Sequence, residues 1–148
     1  MEPVGGESLP DLVFTANAAV VRGKKAFLAS FHHEERKKEK ALNRRCFYHI
    51  DVAFCPLSPS LALWYPDAFD DVARHNLSSS MRLLPVSPQE ASNFACNAVV
   101  VNETVILQRG NVSTVSMLRK EGWRVAEVPM DEFIKAGGSA KCCTLRIE

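Results

Sequence analysis

The residues best suited to do chemistry in this sequence are a cysteine near its end and a histidine about a third of the way along. Cys142 comes shortly after Gly137 and Gly138, and glycines there let the backbone turn tightly and a ligand come close. Lys141 beside it favours the thiolate, the form of cysteine that attacks an electrophile. A plainer reading stands next to this one: Cys142 and Cys143 are strand residues, one of them buried and inert, as free cysteine commonly is. His49 precedes Asp51 by two positions, so on a strand both side chains face the same way, about 7 Å apart. A histidine and a carboxylate on one face are what a general acid/base and a cation-holding group require. The same pair also reads as a structural histidine bonded to its neighbour.

Two asparagines interrupt otherwise apolar strand segments. Asn17 and Asn97 are each either a hydrogen-bonded core amide or a ligand contact. Cys46, His49 and Cys55, with His32 and His33 nearby, lack the close, repeated pairing of zinc ligands, so no metal site is expected. Trp64 and Trp123 fit core positions better than a site.

The elements that must position these residues follow from the hydrophobic pattern. Leu12 to Val21 and Lys24 to Ser30, separated by Gly23, read as a hairpin or two consecutive buried strands. His32 to Arg45 is a dense run of Glu, Lys and Arg with hardly any apolar face, a solvated surface helix or connector. Phe47 to Phe54 reads as a strand that Pro56 must stop, and Ser60 to Tyr65 as its hairpin partner. Asp67 to His75 suits a short helix, acidic early and basic late, and Arg82 to Val86 a strand. Ser87 to Phe94 opens with a capping serine, a proline at the first helical position and Glu90. Ala98 to Val101 and Thr104 to Leu107 pair across Asn102 and Glu103. Val112 to Glu121 is a helix ended by Gly122, Arg124 to Val128 a buried strand, Met130 to Lys135 a short helix, and Lys141 to Ile147 a closing strand. The recurring order, strand, strand, helix, strand, is an α/β pattern of similar modules.

Composition bounds the partner. At 148 residues and 47% apolar, the chain suits one domain with a real core. Lys plus Arg total 18 against 17 acidic residues, which removes the charge argument for nucleic acid or an anionic membrane and leaves a small ligand. No apolar run approaches the roughly 18 residues that span a bilayer, and Met1 to Pro10 has neither a basic start nor an apolar stretch. Five cysteines without repeated spacing argue for free thiols in a reducing, cytoplasmic setting. The glycosylation-type triplets at Asn76, Asn102 and Asn111 are then coincidental. Monomer and homo-oligomer both stay open.

Four stretches in order resemble the guanidino-group modifying (pentein) superfamily, which includes dimethylarginine dimethylaminohydrolases, arginine deiminases and dihydrolases, and glycine amidinotransferases. They are PDLVFTANAAVV at Pro10 to Val21, FYHIDVAFCPL at Phe47 to Leu57, FACNAVVVN at Phe94 to Asn102 and AGGSAKCCTLRI at Ala136 to Ile147. Asn17 stands where classical deiminases carry an aspartate, which brings the chain nearer to the dimethylargininase-like and arginine-dihydrolase-like members. The resemblance implies a propeller-like ring of ββαβ modules around a substrate pocket. It implies Cys142 as nucleophile, Cys143 as bystander, His49 as acid/base, and Asp51, Asn17 and Asn97 as substrate-binding residues. The implied reaction cuts a guanidinium carbon–nitrogen bond of arginine or an N-methylated arginine through a covalent thiouronium, with no cofactor.

Residues 1–148 then form a single, incomplete domain of this kind. Family members carry a Glu-Gly-x-Gly-Asp type segment between the charged stretch and the histidine motif, whereas here Glu39 runs almost directly into Phe47. About two modules would be missing, with a carboxylate for the substrate cation among them. An inactive remnant or a guanidino-binding module is therefore the competing expectation, and an amidinotransferase differs only in whether water or an amine accepts the amidino group.

Overall fold

The computed structural model describes the backbone of residues 19–22 and 25–28 and the whole of residues 49–144. Asn17, Cys46, the charged stretch 32–45 and residues 145–148 lie outside the described residues. The first expected hairpin is present as β1 (Ala19–Arg22) and β2 (Lys25–Leu28), antiparallel with Arg22 opposite Lys25.

A single helical turn, α1 (Ile50–Ala53), leads into β3 (Phe54–Ser58) and its antiparallel partner β4 (Leu61–Trp64). Pro56 does not stop β3. The strand lies at the edge of its sheet, where a missing N–H costs no ladder bond, and the register shifts between Pro56 and Ser58. Helix α2 (Asp71–Ser80) then crosses back to β5 (Arg82–Pro85), parallel to β4. The helix begins later than its charge pattern suggested because Asp70 is the cap: its side chain accepts from the Ala73 N–H at 2.8 Å. Pro66–Ala68 forms only a 3-10 turn.

Helix α3 (Pro88–Ser92) starts as expected, with the Ser87 hydroxyl accepting from the Glu90 N–H. The second module repeats the first: hairpin β6 (Val99–Val101) and β7 (Thr104–Gln108), helix α4 (Val112–Lys120), and β8 (Arg124–Val128) parallel to β7. Asn102 makes the hairpin turn at φ 53°, a conformation its short polar side chain tolerates. Strand β8 is an edge strand with Arg124 and Glu127 exposed, not the buried strand its apolar residues implied. The last helix is α5 (Asp131–Lys135).

Each module is thus ββαβ, as expected for the α/β class, and the two share one core. Leu57 and Leu63 from the first sheet meet Ala95 and Cys96 from the connection and Val105, Leu107, Val115 and Leu118 from the second module. Ala62 and Trp64, which alternate with Leu63 along β4, face a smaller cluster with Phe54, Phe69, Leu77 and Met81 under α2. Both faces of β4 are therefore covered, and a fully buried leucine such as Leu63 contributes roughly 2 kcal/mol of apolar burial. No helix among the described residues is long and apolar enough to cross a membrane.

Candidate active site

His49 and Asp51 do not sit on a strand. His49 is extended (φ −120°, ψ 147°) and is the residue on which α1 begins, its carbonyl accepting from the Val52 N–H. Asp51 lies in the first turn of α1. The helical turn fits the burial pattern: Ile50, Val52 and Ala53 are all buried, which an alternating strand would not allow on one side. Same-face alternation therefore does not account for how the two residues come together. Asp51 is partly buried, and its Oδ1 is a buried acceptor without a hydrogen-bond partner among the described residues. Burial raises its carboxyl above the ordinary value, while the nearby His49 and Lys141 charges oppose that rise.

Cys142 is not on a strand either. Residues 139–144 form a tight turn in which the Cys143 N–H donates to the Ser139 carbonyl at 3.2 Å and the Thr144 N–H to the Lys141 carbonyl at 3.1 Å. Gly137 enters it at φ 88°, in the left-handed region that favours glycine. Gly138 matters for space: a Cβ there would meet the Cys142 Cβ at 3.2 Å and its Sγ at 3.7 Å. Both Cys142 and Cys143 are exposed, so neither is the buried, inert thiol of the plainer reading. Among the described residues, the buried thiols are Cys55, which donates to the Ala98 carbonyl, and Cys96, whose thiol burial pushes well above its usual range.

Asn97 joins the two halves. Its backbone is completely buried with its side chain, at 0% exposure. Its Nδ2 donates to the Asp51 carbonyl at 3.3 Å and to the Cys142 Sγ at 3.2 Å, and its Oδ1 accepts from the Cys142 N–H at 3.3 Å. Its carbonyl accepts from the Lys141 N–H. The turn that presents it contains Phe94 at φ 59°, an uncommon conformation for a buried aromatic residue, with the Phe94 carbonyl accepting from the Asn97 N–H. Of the residues expected at the site, Cys142, Asp51 and Asn97 are brought together directly, and His49 lies close enough to act on the Asp51 carboxyl.

One further residue was not singled out in the sequence. Ser139 is fully buried at the root of the Cys142 turn, and its Oγ is the other buried side-chain atom without a hydrogen-bond partner among the described residues. Its only sequence signal was its place between Gly138 and Cys142. Elsewhere, an open concavity over α4 is lined by Val112, Val115, Ser116, Arg119, Lys120 and Glu127 and shares no residue with this cluster.

A pair of ββαβ modules with a cysteine turn tied to a histidine–aspartate turn has clear relatives, although no protein-family model matches the chain. The bifunctional arginine dihydrolase/ornithine cyclodeaminase ArgZ of Synechocystis is 32% identical over 209 residues, covering 93% of this chain and 29% of that protein. The N(G),N(G)-dimethylarginine dimethylaminohydrolase of Mycobacterium tuberculosis is 35% identical over 102 residues, covering 68% of this chain and 34% of that protein. Among solved structures, the N-terminal domain of ArgZ bound to product superposes with a TM-score of 0.67 at 41% identity, covering 72% of this chain and 40% of the other. A cysteine-to-serine mutant of the same domain, bound to substrate, superposes at 0.66 with 41% identity, covering 71% and 40%.

The chain belongs to the guanidino-group modifying superfamily, the penteins. Within it, these relatives are arginine dihydrolases and dimethylarginine hydrolases, and the chain spans only 29% and 34% of the two curated ones. The ArgZ match runs over more residues than this chain possesses, so dozens of residues of the relative have no counterpart between the matched segments.

Proposed function

We propose that the protein hydrolyses a guanidinium carbon–nitrogen bond of arginine or an N-methylated arginine, with Cys142 as nucleophile and His49 as acid/base. The observation that carries this reading is the Asn97 side chain, which hydrogen-bonds both the Cys142 Sγ and the Asp51 carbonyl and so holds the thiol beside the His49–Asp51 turn. The relatives' arginine dihydrolase and dimethylarginine hydrolase activities, and a substrate complex obtained with a cysteine-to-serine mutant, support the same chemistry.

A guanidinium carbon is resonance-stabilised and a poor electrophile, so the site needs a thiolate and acceptors that fix the planar cation. Asp51, with an acceptor oxygen unoccupied, and Asn17 hold the guanidinium nitrogens. The Cys142 sulfur bonds to the central carbon. The carbon–nitrogen bond then breaks as His49 gives its proton to the departing amine, leaving a thiouronium on the sulfur. Water adds to that carbon while His49 takes its proton, and the carbon–sulfur bond breaks to release the ureido product and the thiolate. From arginine the products are citrulline and ammonia, with ornithine following if a second hydrolysis occurs; from dimethylarginine they are citrulline and dimethylamine. Free thiols at Cys55, Cys96, Cys142 and Cys143 suit a reducing, cytoplasmic setting.

A second reading is an inactive guanidino-binding module. The residues of ArgZ that have no counterpart here favour it, because a cation site short of a carboxylate binds and orients its ligand less well. Incubating folded protein with arginine and, separately, with asymmetric dimethylarginine decides between the two. Release of citrulline or ornithine supports the hydrolase; ligand binding without product supports the module.

A further inference from the structure

We infer that Asn97 is a positioning residue for the nucleophile, holding Cys142 in place through an N–H···S hydrogen bond and a bond to its backbone N–H; this deepens the hydrolase reading and rests on Cys142 being the nucleophile. Asn97 was expected as either a hydrogen-bonded core amide or a ligand contact, with the resemblance favouring the latter. Its amide is instead committed to protein: Oδ1 to the Cys142 N–H, and Nδ2 to the Asp51 carbonyl and the Cys142 Sγ. Two of these three bonds go to one residue, gripping both its backbone and its side chain.

A buried amide serving packing alone would spend its donors on oxygen. A neutral thiol is a weak acceptor, whereas a thiolate is a charged one, and hydrogen bonds to a charged partner are about twice as strong as neutral ones. The Asn97 Nδ2 is therefore a donor placed to hold the sulfur in the orientation from which it attacks. The need for such a bond follows from exposure: Cys142 lies on an exposed turn, where its side chain would otherwise lose its orientation among rotamers. The bond from the Lys141 N–H to the Asn97 carbonyl fixes the same turn through the main chain, so the side-chain bonds are free to act on the sulfur. Cys143, the exposed neighbour, has no hydrogen bond to its sulfur among the described residues and serves as an internal comparison.

The test is site-resolved alkylation of the full chain with iodoacetamide, read by peptide mass spectrometry. Asn97→Asp keeps the size and the oxygen that accepts from the Cys142 N–H, but it replaces the donor to sulfur by an acceptor. At neutral pH the variant should alkylate Cys142 about tenfold more slowly than wild type while Cys143 changes less than about twofold. With turnover established, kcat should fall by about tenfold or more with KM nearly unchanged, since the lost interaction is with the enzyme's own sulfur. Equal Cys142 alkylation in wild type and folded variant overturns the inference, and because that readout needs no substrate it does so independently of whether the protein is a hydrolase. If Asn97→Asp does not fold, S-methylation of wild-type Cys142 is followed through the Asn97 side-chain amide signals in an NMR spectrum. A shift of the Nδ2 protons supports the bond to sulfur, and unmoved signals contradict it.

Discussion

The Oδ1 of Asn97 accepts from the Cys142 N–H at 3.3 Å while its Nδ2 donates to the Cys142 sulfur at 3.2 Å, so one buried amide grips both the backbone and the side chain of Cys142. The same Nδ2 reaches the Asp51 carbonyl, which makes this contact the hinge between two stretches that are far apart in sequence. The geometry around the sulfur is therefore set by few atoms, and small changes near it should register in catalysis before they register in stability.

Gly138 offers the first such change. Its φ is not left-handed, so alanine brings no backbone strain, but the new Cβ would sit 3.2 Å from the Cys142 Cβ. Gly138→Ala should lower kcat by about tenfold through displacement of the thiol. Its urea midpoint should correspond to a stability change within about 0.5 kcal/mol, and steady-state kinetics beside equilibrium unfolding check the pair.

Asp51 offers a change that separates stability from function. Burial raises its folded carboxyl above 3.8, so the stability contributed by the neutral acid is fully present below 3.8 and lost as pH rises through the raised folded value. Asp51→Asn should therefore be more stable than wild type at neutral pH, by on the order of 1 kcal/mol, with the difference shrinking as pH falls towards 3.8. The same substitution should raise KM for a guanidinium substrate by at least about tenfold, because a charged acceptor is lost. Urea melts at several pH values and substrate titration measure both.

Glu90 ties α3, in the connection between the modules, to α4 of the second module. Its carboxylate accepts from the Ser113 and Thr114 N–H groups at 2.7 and 2.9 Å and from the Thr114 hydroxyl at 2.6 Å, at the positive end of α4. Glu90→Ala should cost roughly 1–2 kcal/mol in urea unfolding, the range of a lost helix cap. Alkylation of Cys142 in the folded variant should be unchanged, since Glu90 has no bond to the site.

Much of this architecture was legible because local signals and tertiary structure agree. Ser87, Pro88 and Glu90 mark α3, Gly122 at φ 88° ends α4, and Asn102 turns the second hairpin. The failures occur where local pattern and tertiary demand diverge. Phe47 to Phe54 looks extended, yet Ile50, Val52 and Ala53 are buried together by turning helically, which no period-two reading can reveal. Cys142 was expected on a strand because Lys141 to Ile147 is rich in β-formers, but the backbone bonds to Ser139 and Lys141 curl it into a turn. The candidacy of Cys142, His49 and Asp51 could be read from residue type and resemblance. The part played by Asn97 could not, because its partners lie on two distant stretches and hydrogen bonds across such distances leave no local trace.

The most direct measurement is intact-protein mass spectrometry of the folded chain, acid-quenched during incubation with arginine or dimethylarginine. The account predicts a covalent adduct that peptide mapping locates on Cys142, that is absent in Cys142→Ser, and that persists in Cys143→Ser. Product formation that survives Cys142→Ser, or an adduct carried by Cys143 instead, would contradict it.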